Sequence, residues 1–287
     1  MDIKPLLRQF NLHPKKSLGQ NFLVDEHALS AIVRAAKIMP DDVVLEIGSG
    51  LGCLTRHLAD AARHVIAVEI DRALVPPLRA VLSARPNVSI VEGDILQLDL
   101  ARVLEPSPGY KVVANIPYYI TSAIIRHLLE AEVKPQAIVL TIQWEVAQRI
   151  VAQPDDMNLL AVSVQFYGTP HIVQRIPAGA FYPTPDVDSA VVRIDLPDQP
   201  RVKVKDVNAF FKVAKAGFGQ RRKQLHNALK AGLGRSAEEI DRGLREAEID
   251  PKRRAETLTL EEWGKLSDQF SRDRGAGSRE QEVLPVE

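Results

Sequence analysis

The chain has 287 residues, with 37 lysines and arginines against 37 aspartates and glutamates, and 45% of it is hydrophobic. This describes a folded chain with room for one large domain and a smaller one. No apolar run approaches the roughly 20 residues of a membrane span, and the opening MDIKPLLRQFNL lacks the apolar stretch of a secretory leader. Cys53 is the only cysteine, which excludes an intramolecular disulfide and leaves no Cys/His cluster for structural zinc or another metal. A cytoplasmic protein is expected.

Zero net charge conceals a segregation. Residues 1–22 sum to +3, residues 23–200 to −7, residues 201–254 to +8 and residues 255–287 to −4. Two basic segments flanking an acidic body suit a polyanionic partner bound by part of the surface, although solvated helical faces would give the same count.

In chain order, Asp25 reads as the N-cap of a helix whose apolar face carries Leu29, Ile32, Val33 and Ala36. From residue 43 short β-rich runs alternate with helical patterns. The strands are expected at Val43–Ile47, Val65–Glu69, Val88–Glu92, Lys111–Asn115 and Ala137–Ile142, with helices near 52–61, 72–84 and 121–131. Strands apolar on both faces and separated by helices describe a parallel sheet covered on both sides. His171–Ile176 and Ser189–Leu196 would complete it, with an antiparallel edge. Periodicity does not decide between helix and strand for Leu159–Tyr167. Pro197 to Pro200 reads as a linker, after which helical patterns run from about 206 to 270. These patterns divide the chain into a basic N-terminal segment (1–22), a Rossmann-like domain (23–200), a small helical domain (201–270) and a polar tail (271–287) expected to be disordered.

Two strand ends carry chemistry. The first strand runs into Gly48-Ser49-Gly50-Leu51-Gly52, a turn whose glycines let the backbone approach a ligand. A dinucleotide fingerprint would place its third glycine at position 53, which is Cys53. Glu69, about twenty residues on, closes the second strand, where an acid holds a ribose hydroxyl pair. Asp94, beyond the third strand, is placed to accept from an adenine amino group. A ribose and an adenine without a pyrophosphate fingerprint fit S-adenosyl-L-methionine better than NAD.

The fourth strand ends in Asn115-Ile116-Pro117-Tyr118. An exocyclic adenine amine is a poor nucleophile because its lone pair is delocalised into the ring. An amide oxygen (Asn115) and a backbone carbonyl (Ile116), each accepting one N–H, would favour the pyramidal nitrogen of the transition state. Pro117 restricts Ile116, and Tyr118 offers a ring for stacking the base. A proline turn with an asparagine cap is the plain alternative.

Six segments in this order resemble the KsgA/RsmA family of small-subunit ribosomal RNA adenine dimethyltransferases: KKSLGQNFLVD (15–25), EIGSGLGCLT (46–55), VEID (68–71), NIPYYIT (115–121), FYPTPDVDSAVV (181–192) and GFGQRRK (217–223). The resemblance covers about residues 14–270. It implies an α/β class I S-adenosylmethionine-dependent methyltransferase, Rossmann-like, with a C-terminal helical domain. The implied reaction is N6-dimethylation of two adjacent adenosines in the 3′-terminal hairpin loop of 16S rRNA, within the small subunit or its precursor, by a monomer. Cofactor contacts are implied for Asn21, Leu23, Gly48, Gly50, Glu69, Asp94 and Asn115. Phe181 is implied to face Tyr118 across the target base. RNA contacts are expected at Lys15, Lys16, Arg221, Arg222 and Lys223, in a helix opening at Gln220. Trp144 stands where the family commonly has lysine, and Met157–Ser163 departs from the family pattern. A large-subunit rRNA methyltransferase, a DNA adenine methyltransferase and a purely binding assembly factor are the competing readings.

Overall fold

The computed structural model describes residues 2–104, 109–220 and 222–271; Arg221 and the tail from 272 onward, both singled out above, lie outside the described residues. The helices are α1 (Ile3–Gln9), α2 (Glu26–Ala36), α3 (Thr55–Ala61), α4 (Val75–Leu82), α5 (Leu100–Val103), α6 (Thr121–Glu130), α7 (Trp144–Ile150), α8 (Leu159–Tyr167), α9 (Val207–Phe218), α10 (Leu225–Leu233), α11 (Ala237–Glu246) and α12 (Leu260–Phe270). The strands are β1 (Phe22–Leu23), β2 (Val43–Ile47), β3 (His64–Glu69), β4 (Val88–Glu92), β5 (Lys111–Asn115), β6 (Ala137–Gln143), β7 (Thr169–Ile176), β8 (Phe181–Tyr182) and β9 (Ser189–Asp195).

Seven strands form one sheet in the order β4-β3-β2-β5-β6-β9-β7. The first five pair in parallel, and β9 pairs antiparallel with both β6 and β7. Every residue of β2 is buried, as a central parallel strand covered on both faces requires. Strand order reverses between β2 and β5, and such a switch point leaves a crevice outside the carboxyl ends of the strands. The helix cap expected at Asp25 is present, its carboxylate accepting from the Ala28 N–H at 2.7 Å. A short antiparallel pair, β1 with β8, sets Phe22 opposite Tyr182 and Leu23 opposite Phe181. Cys53 is buried. The basic N-terminal segment contains α1, which buries Ile3 and Leu7 in the core of this unit.

The chain falls into two compact units, residues 1–148 with 169–196, and residues 149–168 with 197 onward. This partition differs from a boundary at 200: the chain leaves the α/β unit within α7, builds α8 in the helical unit, and returns for β7 and β9. The reason lies in α8, where every residue from Ala161 to Phe166 is buried. A helix buried so continuously needs a surrounding core, and Phe166 finds one against Phe210 (ring centroids 4.5 Å) and Phe211 (5.2 Å). The atypical stretch from Met157 is the start of this helix, with the Asn158 side chain accepting from the Ala161 N–H at 3.1 Å. No helix among the described residues is long and apolar enough to cross a membrane.

Candidate active site

The turn after β2 takes three glycines because all three adopt the left-handed conformation, with φ of +73° at Gly48, +58° at Gly50 and +79° at Gly52. A Cβ on Gly48 would meet nothing nearer than the Asn115 carbonyl oxygen at 3.7 Å, so that side of the turn is open. On Gly50 it would press on the Phe22 ring at 3.1 Å, and on Gly52 on Leu78 at 3.1 Å. Gly48 clears room for a ligand; the other two also permit close packing.

A cleft of about 810 Å³, counting its mouth, lies at the carboxyl ends of β2, β3, β4 and β5. Asn21, Gly48, Gly50, Glu69, Asp94 and the run Asn115 to Tyr118 all line it. Glu69 is 4% exposed; one carboxylate oxygen accepts from the Gly50 N–H at 2.7 Å and the other from the Asp71 N–H at 2.8 Å. Burial raises its pKa above the usual carboxylate value. Each oxygen keeps a further lone pair for a hydroxyl. Asp94 accepts from the Leu96 N–H at 3.0 Å. Among the described residues no group of side chains could hold a metal ion.

On the facing side, the Asn115 amide nitrogen donates to the Asn21 carbonyl at 3.1 Å. The amide oxygen is thereby turned away from Asn21. Among the described residues no donor meets that oxygen or the Ile116 carbonyl. The Tyr118 hydroxyl shares a hydrogen bond of 2.7 Å with the Ser189 hydroxyl, and burial raises its pKa. Tyr119 stands at the cleft, 63% exposed.

Three expected site residues lie elsewhere or are otherwise engaged. Phe181 is 3% exposed and packs in the core of the α/β unit, so its ring does not line the cleft opposite Tyr118; pairing with Leu23 in the β1–β8 ribbon draws it inward. Leu23, 2% exposed, is held in the same core and borders only a smaller neighbouring cavity of about 310 Å³. Lys15 donates to the buried carboxylate of Asp71 at 2.7 Å, so its charge is already paired. Lys16 is exposed on a 3-10 turn. Arg222 and Lys223 are exposed, in the loop before α10 rather than in a helix opening at Gln220. Trp144 has the Arg175 guanidinium over its ring at 4.8 Å, a cation–π contact that gives it a role within the α/β unit. Gln20 and Asp71 were not anticipated. The position of Asp71, two residues beyond Glu69, was the available signal.

A sheet with this strand order, a glycine turn and an acid at the ends of adjoining strands, and an Asn-Ile-Pro-Tyr edge define a Rossmann-like nucleic-acid adenine methyltransferase. The chain belongs to the ribosomal RNA adenine dimethylase family, whose family model matches residues 11–270. It is 48% identical over 263 residues to ribosomal RNA small subunit methyltransferase A of Dehalococcoides mccartyi, covering 92% of this chain and 90% of that one. Its identity to the Moorella thermoacetica protein of the same name is 45%, covering 91% and 94%. Among solved structures, the 23S rRNA methyltransferase ErmE superposes with a TM-score of 0.70 at 29% identity, covering 88% of this chain and all of ErmE. A dimethyladenosine transferase from Plasmodium falciparum gives 0.69 at 26% identity, covering 85% and 95%. The enzyme is an S-adenosyl-L-methionine-dependent rRNA adenine dimethyltransferase.

Proposed function

We propose that this enzyme dimethylates N6 of two adjacent adenosines in the 3′-terminal hairpin loop of small-subunit (16S) rRNA, acting as a single chain in the cytoplasm on the subunit or its precursor. The observation that carries the chemistry is the pair of unmet acceptors, the Asn115 amide oxygen and the Ile116 carbonyl, at the edge of a cleft built for a nucleoside. The small-subunit name shared by relatives at 45–48% identity supports this target over the large subunit, to which ErmE at 29% points.

The lining of the cleft supports a site for the methyl donor, in which Glu69 would take the ribose hydroxyls, Asp94 an adenine amino group, and the open face of Gly48 together with Asn21 the remainder. Bound there, S-adenosylmethionine supplies an electrophilic methyl group. The protein's part is to prepare the nucleophile. Asn115 and Ile116 accept the two N–H bonds of the target amine and favour its pyramidal form, in which the lone pair is free to attack. Tyr118 presents its ring to the base, with its hydroxyl fixed by Ser189. No strong base is required, because the nitrogen becomes cationic on methylation and sheds its proton readily. Lys16, Arg221, Arg222 and Lys223 serve as phosphate contacts.

The test is transfer of labelled methyl from S-adenosylmethionine to unmethylated small subunits, with large subunits and duplex DNA as parallel acceptors. About four methyls per small subunit, on two neighbouring adenines, are expected. Label on the large subunit would overturn the assignment, and tight small-subunit binding without label would leave only an assembly factor.

A further inference from the structure

The N-terminal wall of the cleft is tied down by one buried carboxylate. Asp71 is 6% exposed. It accepts from the Lys15 ammonium at 2.7 Å, from the Gln20 amide nitrogen at 2.8 Å and from the Ala73 N–H at 3.1 Å. Gln20 is locked in turn, because its amide oxygen accepts from the Lys15 N–H at 2.8 Å. At the other end of the segment, Gly19 is left-handed (φ +59°), and a Cβ there would press on Pro117 at 3.1 Å and on Tyr119 at 3.2 Å. The segment therefore sits directly against the Asn-Ile-Pro-Tyr-Tyr edge. The next residue, Asn21, supplies the carbonyl that takes the Asn115 amide hydrogen.

We propose that Asp71 is a positioning residue for methyl transfer: by anchoring Lys15 and Gln20 it holds residues 15–21 in place, and through the Asn21 carbonyl it orients the Asn115 amide. The proposal rests on the role given above to Asn115. An asparagine amide presents either an acceptor oxygen or a donor NH2 group to its surroundings. With the Asn21 carbonyl in place, the nitrogen is occupied and the oxygen is left for the acceptor amine. With the segment loosened, the flipped amide would set donor against donor. The Asp71 backbone N–H also bonds Glu69, so a single residue fixes both the ribose side and the amine side of the cleft.

Lys15→Met and Asp71→Asn separate this role from a direct contact of Lys15 with RNA. Asparagine at position 71 cannot accept from both Lys15 and Gln20 in their present arrangement, and Lys15 is exposed enough to be replaced without disturbing a core. The full chain would be assayed on unmethylated small subunits, with kcat and KM measured for both substrates. Lys15→Met is expected to lower kcat about fivefold and Asp71→Asn about thirtyfold, with the double variant no worse than Asp71→Asn and the subunit KM changed by less than about twofold. Lys15→Arg should recover most of the loss in Lys15→Met. Hydrogen exchange should quicken at residues 18–21 in both single variants, with melting temperatures close to wild type. Two independent, multiplying losses would overturn the proposal, as would a Lys15→Met effect confined to subunit KM with a weaker salt dependence. If the unaltered enzyme methylates no small subunit, the proposed function fails. The anchoring is then decided by exchange together with S-adenosylhomocysteine affinity, and unchanged exchange at 18–21 would overturn it.

Discussion

The two units treat charge in opposite ways. The α/β unit buries three carboxylates, Glu46, Glu69 and Asp71. The helical unit buries no charged side chain among the described residues; its interior is Trp263, Phe166, Phe210 and aliphatic side chains, with Ser163, Gln165 and Ser267 as its buried polar residues. Its acids serve as helix caps at the surface instead, in the reciprocal pairs of Ser236 with Glu239 and Thr259 with Glu262. Burying a carboxylate is costly unless it is hydrogen-bonded or protonated. Two of the three buried acids border the cleft or anchor its wall, so the cost is concentrated where a nucleoside must be gripped. The helical unit has no such demand, and its excess positive charge stays at the surface, in water.

Substitutions that break one side of this comparison should leave the other intact. The largest effect is expected from Asn115→Ala, which removes an acceptor made only for the transition state. Methyl transfer should fall about 10²–10³-fold while small-subunit binding changes by less than about threefold. Loss of binding in parallel would make the residue structural.

Glu46 tests the cost of burial itself. Its carboxyl is pushed up to about 8 by burial from an ordinary value of 4.5, and one of its oxygens has no partner among the described residues. Between those two values the folded chain holds a proton that the unfolded chain has released, so stability falls as pH rises from about 4.5 to 8 and levels off beyond. Glu46→Gln cannot ionise and should lose that slope, gaining a few kcal/mol on the wild type between pH 5 and pH 8 by thermal unfolding. Parallel pH profiles would refute the assignment.

On the helical side, replacing Arg222 and Lys223 together by alanine should weaken subunit binding about tenfold and reduce the slope of log K against log salt by about two. An unchanged slope would mark them as solvated surface. The smallest effect is expected from Tyr118→Phe, which keeps the ring and loses the bond to Ser189. Stability should drop by about 1 kcal/mol and methyl transfer by less than about threefold.

What the sequence disclosed follows the range of the interactions involved. β2, β4 and β5 were legible to the residue, because β-branched runs stop at Gly48, Gly93 and the Ile116-Pro117 pair. The cleft residues Gly48, Glu69, Asp94 and Asn115 were legible because a parallel sheet brings its strand ends together. The helix α8 was not, since a segment buried on every side shows no clear period, and its membership of the helical unit depends on distant partners such as Phe210, which meets Phe166 across 44 residues of chain. Asp71 escaped notice for the same reason, its partner Lys15 being 56 residues distant. Phe181 was placed by resemblance in the cleft, whereas here its two-residue pairing with β1 keeps it in the core.

The lone thiol of Cys53, beside the glycine turn, has a consequence for handling and for measurement. Burial pushes its pKa up to about 11, so at neutral pH only about one molecule in ten thousand carries the reactive thiolate, and that thiolate is shielded from solvent. Modification by a thiol reagent must wait for the glycine turn to open. Its rate is therefore an internal clock for opening at that turn, set in the native sequence without any added label, and a bound nucleoside should slow it.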